Sequence, residues 1–162
     1  MSIGNKDDLT DDKVVDAEDS TDDVDDDING DEGDDDINGG DGNDDLDGAE
    51  GDDNLIGGLG NDILRAGFGQ DHLTGGEGNN IFGFYAAGDF IVEDFDVLSD
   101  MLFFDSETTG LNNVEDLLNA ISNIEDNKDG VVFEFEFGNG IASITLVGVN
   151  LEDLGVGMLG FS

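Results

Sequence analysis

GGDGNDDLDGAEGDDNLIGGLGNDILR, residues 39–65, divides into three nine-residue pieces: GGDGNDDLD, GAEGDDNLI and GGLGNDILR. Glycine stands first and fourth in each piece, aspartate sixth and leucine eighth. Extending the frame gives TDDVDDDIN and GDEGDDDIN before it, and AGFGQDHLT and GGEGNNIFG after it. The eighth position then holds Ile28, Ile37, Leu46, Leu55, Leu64, Leu73 and Phe82. The sixth holds Asp26, Asp35, Asp44, Asp53, Asp62 and Asp71, then Asn80. An acidic tract that only needs water has no use for an apolar residue at a fixed interval, so this is a structural repeat.

One nine-residue unit with one apolar side chain cannot build a core alone. Two units make an 18-residue coil of turn, strand, turn, strand, and stacked coils give two parallel sheets around a thin core of Ile and Leu. Glycines one and four are expected to allow a tight, partly left-handed turn. The turns pile up along two edges. Asp35, Asp53 and Asp71 are expected on one edge, and Asp44 and Asp62 on the other, with Asn80 ending that row by giving a neutral oxygen.

Stacked carboxylates repel unless a cation lies between them. The chain carries a formal charge of −39, with Lys6, Lys13, Arg65 and Lys128 as its only lysines and arginine. Such self-repulsion opposes compaction. It also leaves no basic face for nucleic acid or an anionic membrane. Calcium is a hard cation taking six to eight oxygens at about 2.3–2.6 Å. The aspartates offer side-chain oxygens. The glycine-rich turns offer the carbonyls of Gly33, Gly40, Gly42, Gly51, Gly58, Gly60, Gly67 and Gly69.

These residues resemble the RTX nonapeptide, G-G-x-G-x-D-x-U-x, a calcium-binding β-roll repeat. The copies at 21–29, which lacks both turn glycines, and at 75–83, with Asn80, read as degenerate ends. For Asp22 to Asp27 two readings stand, an acidic lead-in or a first calcium turn that includes Asp26. GDFIVEDFDVLSDMLFFD (88–105) looks like the segment that follows such repeats in type I-secreted bacterial proteins. The resemblance implies that this segment caps the roll and that Asp89 and Asp94 add calcium ligands. Asp100-Met-Leu-Phe departs from the family's D-x-L-D pattern. The resemblance further implies several bound calcium ions, export through a type I secretion apparatus and an extracellular location. MSIGNKDDLTDD, with no apolar core of a cleavable leader, fits that route.

Three regions follow: an acidic, disordered tail over 1–20, the β-roll over 21–83, and a capping region over 84–162 in which the resemblance implies an export signal. In the last, NNVEDLLNAISNI (112–124) has helical spacing at Val114, Leu117, Leu118 and Ile121, with Asn112 or Asn113 as N-cap. VVFEFEF (131–137) alternates, so Val131, Phe133, Phe135 and Phe137 share a face. Gly138-Asn139-Gly140 reads as a hairpin turn into IASITLV (141–147), and NLEDL (150–154) as one helical turn. The expected fold is mainly β: a parallel β-roll with a small C-terminal cap of one helix and a β-hairpin.

EDNKDGVVFEFE (125–136) places Asn127, Asp129, Gly130 and Glu136 at EF-hand loop positions, but Glu125 stands first and a strand pattern follows. A surface turn before a hairpin is the preferred reading, with an additional ion site as the alternative. His72 is the chain's one histidine and falls at an outward position. No nucleophile or base stands in a recognisable catalytic setting, so no enzyme activity is expected. There is no cysteine and no apolar run of membrane-spanning length. The functional expectation is a secreted protein that folds on binding calcium outside the cell. The alternatives are a non-catalytic module of a secreted enzyme, or a calcium-bridged polysaccharide- or surface-binding module. Open roll ends leave room for self-association.

Overall fold

The computed structural model describes residues 14–16, 24–137 and 140–162. Most of the expected tail and the Gly138-Asn139 turn lie outside the described residues. Strands β1 (Val14–Asp16), β3 (Asp36–Asp41), β5 (Asn54–Leu59), β7 (Gln70–Glu77) and β9 (Asp89–Val92) stack in parallel. Strands β2 (Asp27–Asn29), β4 (Asp45–Asp47), β6 (Ile63–Arg65), β8 (Ile81–Phe84) and β10 (Met101–Phe104) form a second parallel stack. Successive strands of the chain alternate between the sheets, as a two-repeat coil requires. The fold is a parallel β-roll.

Register explains the repeat. Leu46 pairs with Leu64 and Leu64 with Phe82 in one sheet, and Ile37 with Leu55 and Leu55 with Leu73 in the other. All six side chains are buried. Each contributes about 1.5–3 kcal/mol by leaving water. Half-buried Val15 extends the second column, pairing with Ile37. Val14–Asp16 thus form a strand where a disordered tail was expected, because two adjacent β-branched residues meet an open sheet edge.

The cap continues both sheets. The spacing rises from 18 residues to 19 where Phe90 pairs with Asp71, and to 20 where Leu102 pairs with Phe82. Strands β11 (Ile121–Asn127), β12 (Gly130–Phe137) and β13 (Gly140–Val147) form an antiparallel meander, with β13 parallel to β9. Strand β14 (Leu159–Phe161) adds to β10, and Ser162 bonds back to Ser106 through its hydroxyl and carbonyl. A cluster of Phe84, Phe90, Phe104, Phe135 and Phe161 closes the end of the Leu/Ile core.

Among the described residues two helices are present where one was expected. Helix α1 (Ser106–Thr109) is capped by Asp105, and α2 (Val114–Ala120) by Asn113. The second is shorter than its apolar spacing suggested. Ile121 begins β11 instead, because backbone pairing to β12 outcompetes another helical turn, and Leu118 is left 64% exposed. NLEDL contains a 3-10 turn, Leu151–Asp153. Residues 125–136 are hairpin, not EF-hand: Asn127 pairs with Gly130, while Glu136 pairs with Ile141 of the next strand. His72 is exposed, with Nδ1 3.0 Å from Glu93.

Candidate metal centre

Asp44, Asp53, Asp62 and Asp71 are each tied to the coil before. The N–H of Asp35 donates to Asp53 Oδ1 at 2.9 Å, and that of Asp53 to Asp71 Oδ1 at 3.0 Å. On the other edge, Asp26 donates to Asp44 at 2.8 Å, Asp44 to Asp62 at 2.9 Å and Asp62 to Asn80 Oδ1 at 3.0 Å. The two rows expected from the repeat are both present. Asp35, Asp44, Asp53, Asp62 and Asp71 are buried, and Asp26 at the open end is half-buried.

The second carboxylate oxygen is the telling atom. Oδ2 of Asp44, Asp53, Asp62 and Asp71 is buried with no hydrogen-bond partner among the described residues. An ion deprived of both water and a partner is costly. The surroundings offer more oxygen rather than a donor. A Cβ on Gly48 would overlap both Asp53 Oδ2 and the Ala66 carbonyl oxygen. Gly39 stands likewise before Asp44 Oδ2 and the Gly57 carbonyl, and Gly57 before Asp62 Oδ2 and the Gly75 carbonyl. Carboxylate and carbonyl oxygens converge with nothing positive between them, which suits a hard cation. Among the described residues no three His, Cys, Asp or Glu side chains gather as a metal cage. A cation in these turns would therefore draw part of its coordination from carbonyls.

Burial is the largest cause of the resulting pKa shifts. It pushes Asp53 and Asp62 up to about 6 and Asp71 to about 7, and raises Asp44 and Asp100. The backbone N–H bonds oppose this shift, and neighbouring carboxylates reinforce it.

The glycines divide their work differently from expectation. Positive φ falls at positions two and four: Gly40, Gly58, Gly67 and Gly76, and Gly33, Gly42, Gly51, Gly60, Gly69 and Gly78. Asp31 and Ala49 hold position two with φ 78° and 73°. Position-one glycines are needed for closeness instead, since a side chain there would strike the aspartate. The carbonyls of Gly33, Gly40, Gly42, Gly51 and Gly58 lie against the glycine one coil on, and that of Gly69 accepts the Asp89 N–H at 2.8 Å. The position-one carbonyls of Gly57, Ala66 and Gly75 were not foreseen as candidate ligands. They share an 18-residue spacing with the glycines they face, which is the signal that could have found them.

Three further expected ligands sit in settings unlike those of the turn aspartates. Asn80 continues its row, but its single oxygen is spent on the Asp62 N–H and its buried, unpartnered Nδ2 faces Gly75. An amide nitrogen offers no lone pair for calcium. Asp89 is exposed, aligns with Gln70 rather than Asp71, and accepts the Ser143 hydroxyl at 2.7 Å. The register position opposite Asp71 belongs to Phe90. Asp94 spends both oxygens on the N–H groups of Gly75 and Gly76, at 2.8 Å each.

Asp100 instead closes the row. It is buried, takes the Asn80 N–H on Oδ1 at 2.8 Å and the Asp96 N–H on Oδ2 at 2.9 Å. A second ladder at position five also went unforeseen. Asp25, Asn43, Asn61 and Asn79 bond coil to coil on one edge, and Asp34, Asp52 and Gln70 on the other.

Residues 20–55 and 47–82 match the family model for the RTX calcium-binding nonapeptide repeat. Residues 20–82 are an RTX repeat array. The array binds calcium. Its fold is also that of the AlgE6R2 subunit of the mannuronan C5-epimerase from Azotobacter vinelandii, known from a solution structure. The two are 24% identical with a TM-score of 0.61, over 83% of this chain and 91% of that one. The AlgE6R3 subunit of the same epimerase is 26% identical over 85% of this chain and 78% of that one, with a TM-score of 0.32. No curated protein matches this sequence. No helix among the described RTX-array and cap residues is long and apolar enough to cross a membrane.

Proposed function

We propose that the chain is a secreted, non-catalytic module whose folding is coupled to calcium. The buried, unpartnered Oδ2 atoms of Asp44, Asp53, Asp62 and Asp71 carry this reading. In it, the ions sit along the two edges, held by Asp35, Asp53 and Asp71 on one and by Asp26, Asp44 and Asp62 on the other. The turn carbonyls complete each coordination shell. The proposed organisation is a tail over 1–20, the roll over 21–83 and a cap over 84–162.

The mechanism is linkage. Without calcium, the buried carboxylates and the −39 charge oppose the coil stack. A ligand that binds only the fold stabilises it by about 2.7 kcal/mol per site at 100-fold saturation. Several sites together then exceed the marginal stability of a small domain, about 5–15 kcal/mol. Extracellular calcium modules bind at about 0.1–1 mM. In this reading the chain stays unfolded in a low-calcium cytosol, passes a type I secretion apparatus and folds outside.

A far-UV circular dichroism titration tests the coupling. A steep gain of β signal with calcium and not magnesium is expected. Full β signal in EDTA at neutral pH would overturn it. A second reading, a module appended to a secreted enzyme, draws support from the likeness in fold to an epimerase subunit.

A further inference from the structure

The outer face of the six-stranded sheet changes character along the roll. Outward positions hold Asp45 and Asp47 on β4, Ile63 and Arg65 on β6, Ile81 and Gly83 on β8, and Met101 and Phe103 on β10. An acidic surface becomes an apolar one within three strands. There it encloses an open groove of 480 Å³. Ile63, Ile81, Gly83 and Phe103 line it, and Asp47 and Asp105 are among the remaining lining residues. Gly83 is what makes room, because a Cβ there would come within 3.3 Å of the Arg65 stem. The groove is the size of a small-molecule site and lies away from the aspartate rows, which are buried inside the turns.

Its charges decide what it can hold. The Arg65 guanidinium clamps both oxygens of Asp45, so that pair is internally neutral, and what remains of its field falls on Asp47. Asp47 Oδ1 accepts the Tyr85 hydroxyl at 2.6 Å, and burial keeps that phenol protonated. Asp105 Oδ1 accepts the N–H groups of Glu107 and Thr108. The second oxygens of Asp47 and Asp105 receive no hydrogen bond from the described residues. Two carboxylates with spare acceptors thus border an apolar floor that carries the rings of Tyr85 and Phe103. An anion is repelled there. A bare metal ion finds too few oxygens. An ammonium group on an apolar body satisfies both features, through charge-assisted contacts to the carboxylates and cation–π contact with the rings.

We propose that this groove binds a small organic cation, an ammonium centre carried on an apolar body. The site is independent of the calcium sites, although it needs the folded roll.

The test uses the full chain in saturating calcium and physiological salt, with benzyltrimethylammonium as the probe and benzyl alcohol as its neutral counterpart. Methyl and amide NMR shifts report where the probe sits. Saturable shifts confined to Ile63, Ile81, Gly83 and Tyr85 are expected, with benzyl alcohol giving none of comparable affinity. Asp47→Asn keeps an acceptor for Tyr85 and is expected to weaken binding about tenfold. Phe103→Leu keeps the apolar floor, removes a ring and is expected to weaken it several-fold. Circular dichroism checks that both variants fold. Non-saturating shifts spread over the acidic turns would reduce the effect to a diffuse counterion atmosphere and overturn the proposal. Equal binding of benzyl alcohol, or full affinity in both folded variants, would overturn it as well.

Discussion

Asp53 accepts the backbone N–H of Asp35 through Oδ1, at 2.9 Å, and turns Oδ2 into buried space with no hydrogen-bond partner. One oxygen is structural and the other is the proposed calcium ligand. The two roles separate in Asp53→Asn, where the amide oxygen can keep the bond to Asp35 while the charge is lost. The variant should be more stable than the parent in EDTA, because a buried charge has gone. In calcium it should be less stable, with the folding midpoint raised roughly three- to tenfold. Parallel thermal melts in EDTA and in calcium read both signs.

Protons should partly replace calcium. Asp53 and Asp62 titrate near 6 and Asp71 near 7 in the fold, against 3.8 for an ordinary aspartate. The fold therefore holds these protons more tightly than the unfolded chain does. The stabilisation is complete below 3.8 and is lost as pH rises through 6 to 7. In EDTA, lowering the pH from about 8 to about 5 should restore β signal. Calcium affinity should fall over the same interval, because ion and proton compete for the same oxygens. Circular dichroism at fixed pH steps, with and without calcium, measures both trends.

Asn80→Asp should extend the proposed metal row. The substitution leaves an oxygen for the Asp62 N–H and places a second one where a nitrogen now faces Gly75. Calorimetry should count a higher calcium stoichiometry than in the parent. The calcium-free protein should lose stability by the same change.

Backbone strain at position two offers an opposite control. Ala49 holds φ 73° at the position where the preceding and following repeats place Gly40 and Gly58. Ala49→Gly should stabilise the calcium-loaded roll by about 0.5–1 kcal/mol. Gly60→Ala, with φ 139° and the Gly42 carbonyl in the way, should destabilise strongly. Denaturant midpoints in calcium rank the two.

The roll was legible because its signal is periodic. Leu46, Leu55 and Leu64 occupy one phase of nine, and burial of that phase needs no knowledge of the rest of the chain. Asp100 was not legible. It joins the row 20 residues after Asn80, since the turn through Asp96 and Ser99 lengthens the last coil. Ligand roles for Asp89 and Asp94 were implied by the resemblance of 88–105 to a capping segment, whereas register decides which of them faces a turn. A single residue added before Phe90 moves Asp89 out of phase. Helix α2 ended early for a similar reason: Ile121 serves β11, whose partner β12 lies later in the chain. The ladder of Asn43, Asn61 and Asn79 was visible in the letters. Nothing in a sequence distinguishes an amide that bonds to the next coil from one that bonds to water.

The alternation of strands between two sheets sets a rule for changes in length. Losing or gaining nine residues would transfer everything N-terminal of the change to the opposite sheet. The two edges would exchange their aspartates, and cross-coil partnerships such as Arg65 with Asp45 and Tyr85 with Asp47 would be severed when the change falls between the partners. Losing or gaining eighteen leaves each surviving residue on the sheet it already occupies. The repeat is written in nines, but the molecule can be lengthened or shortened without rewiring only in even numbers of copies.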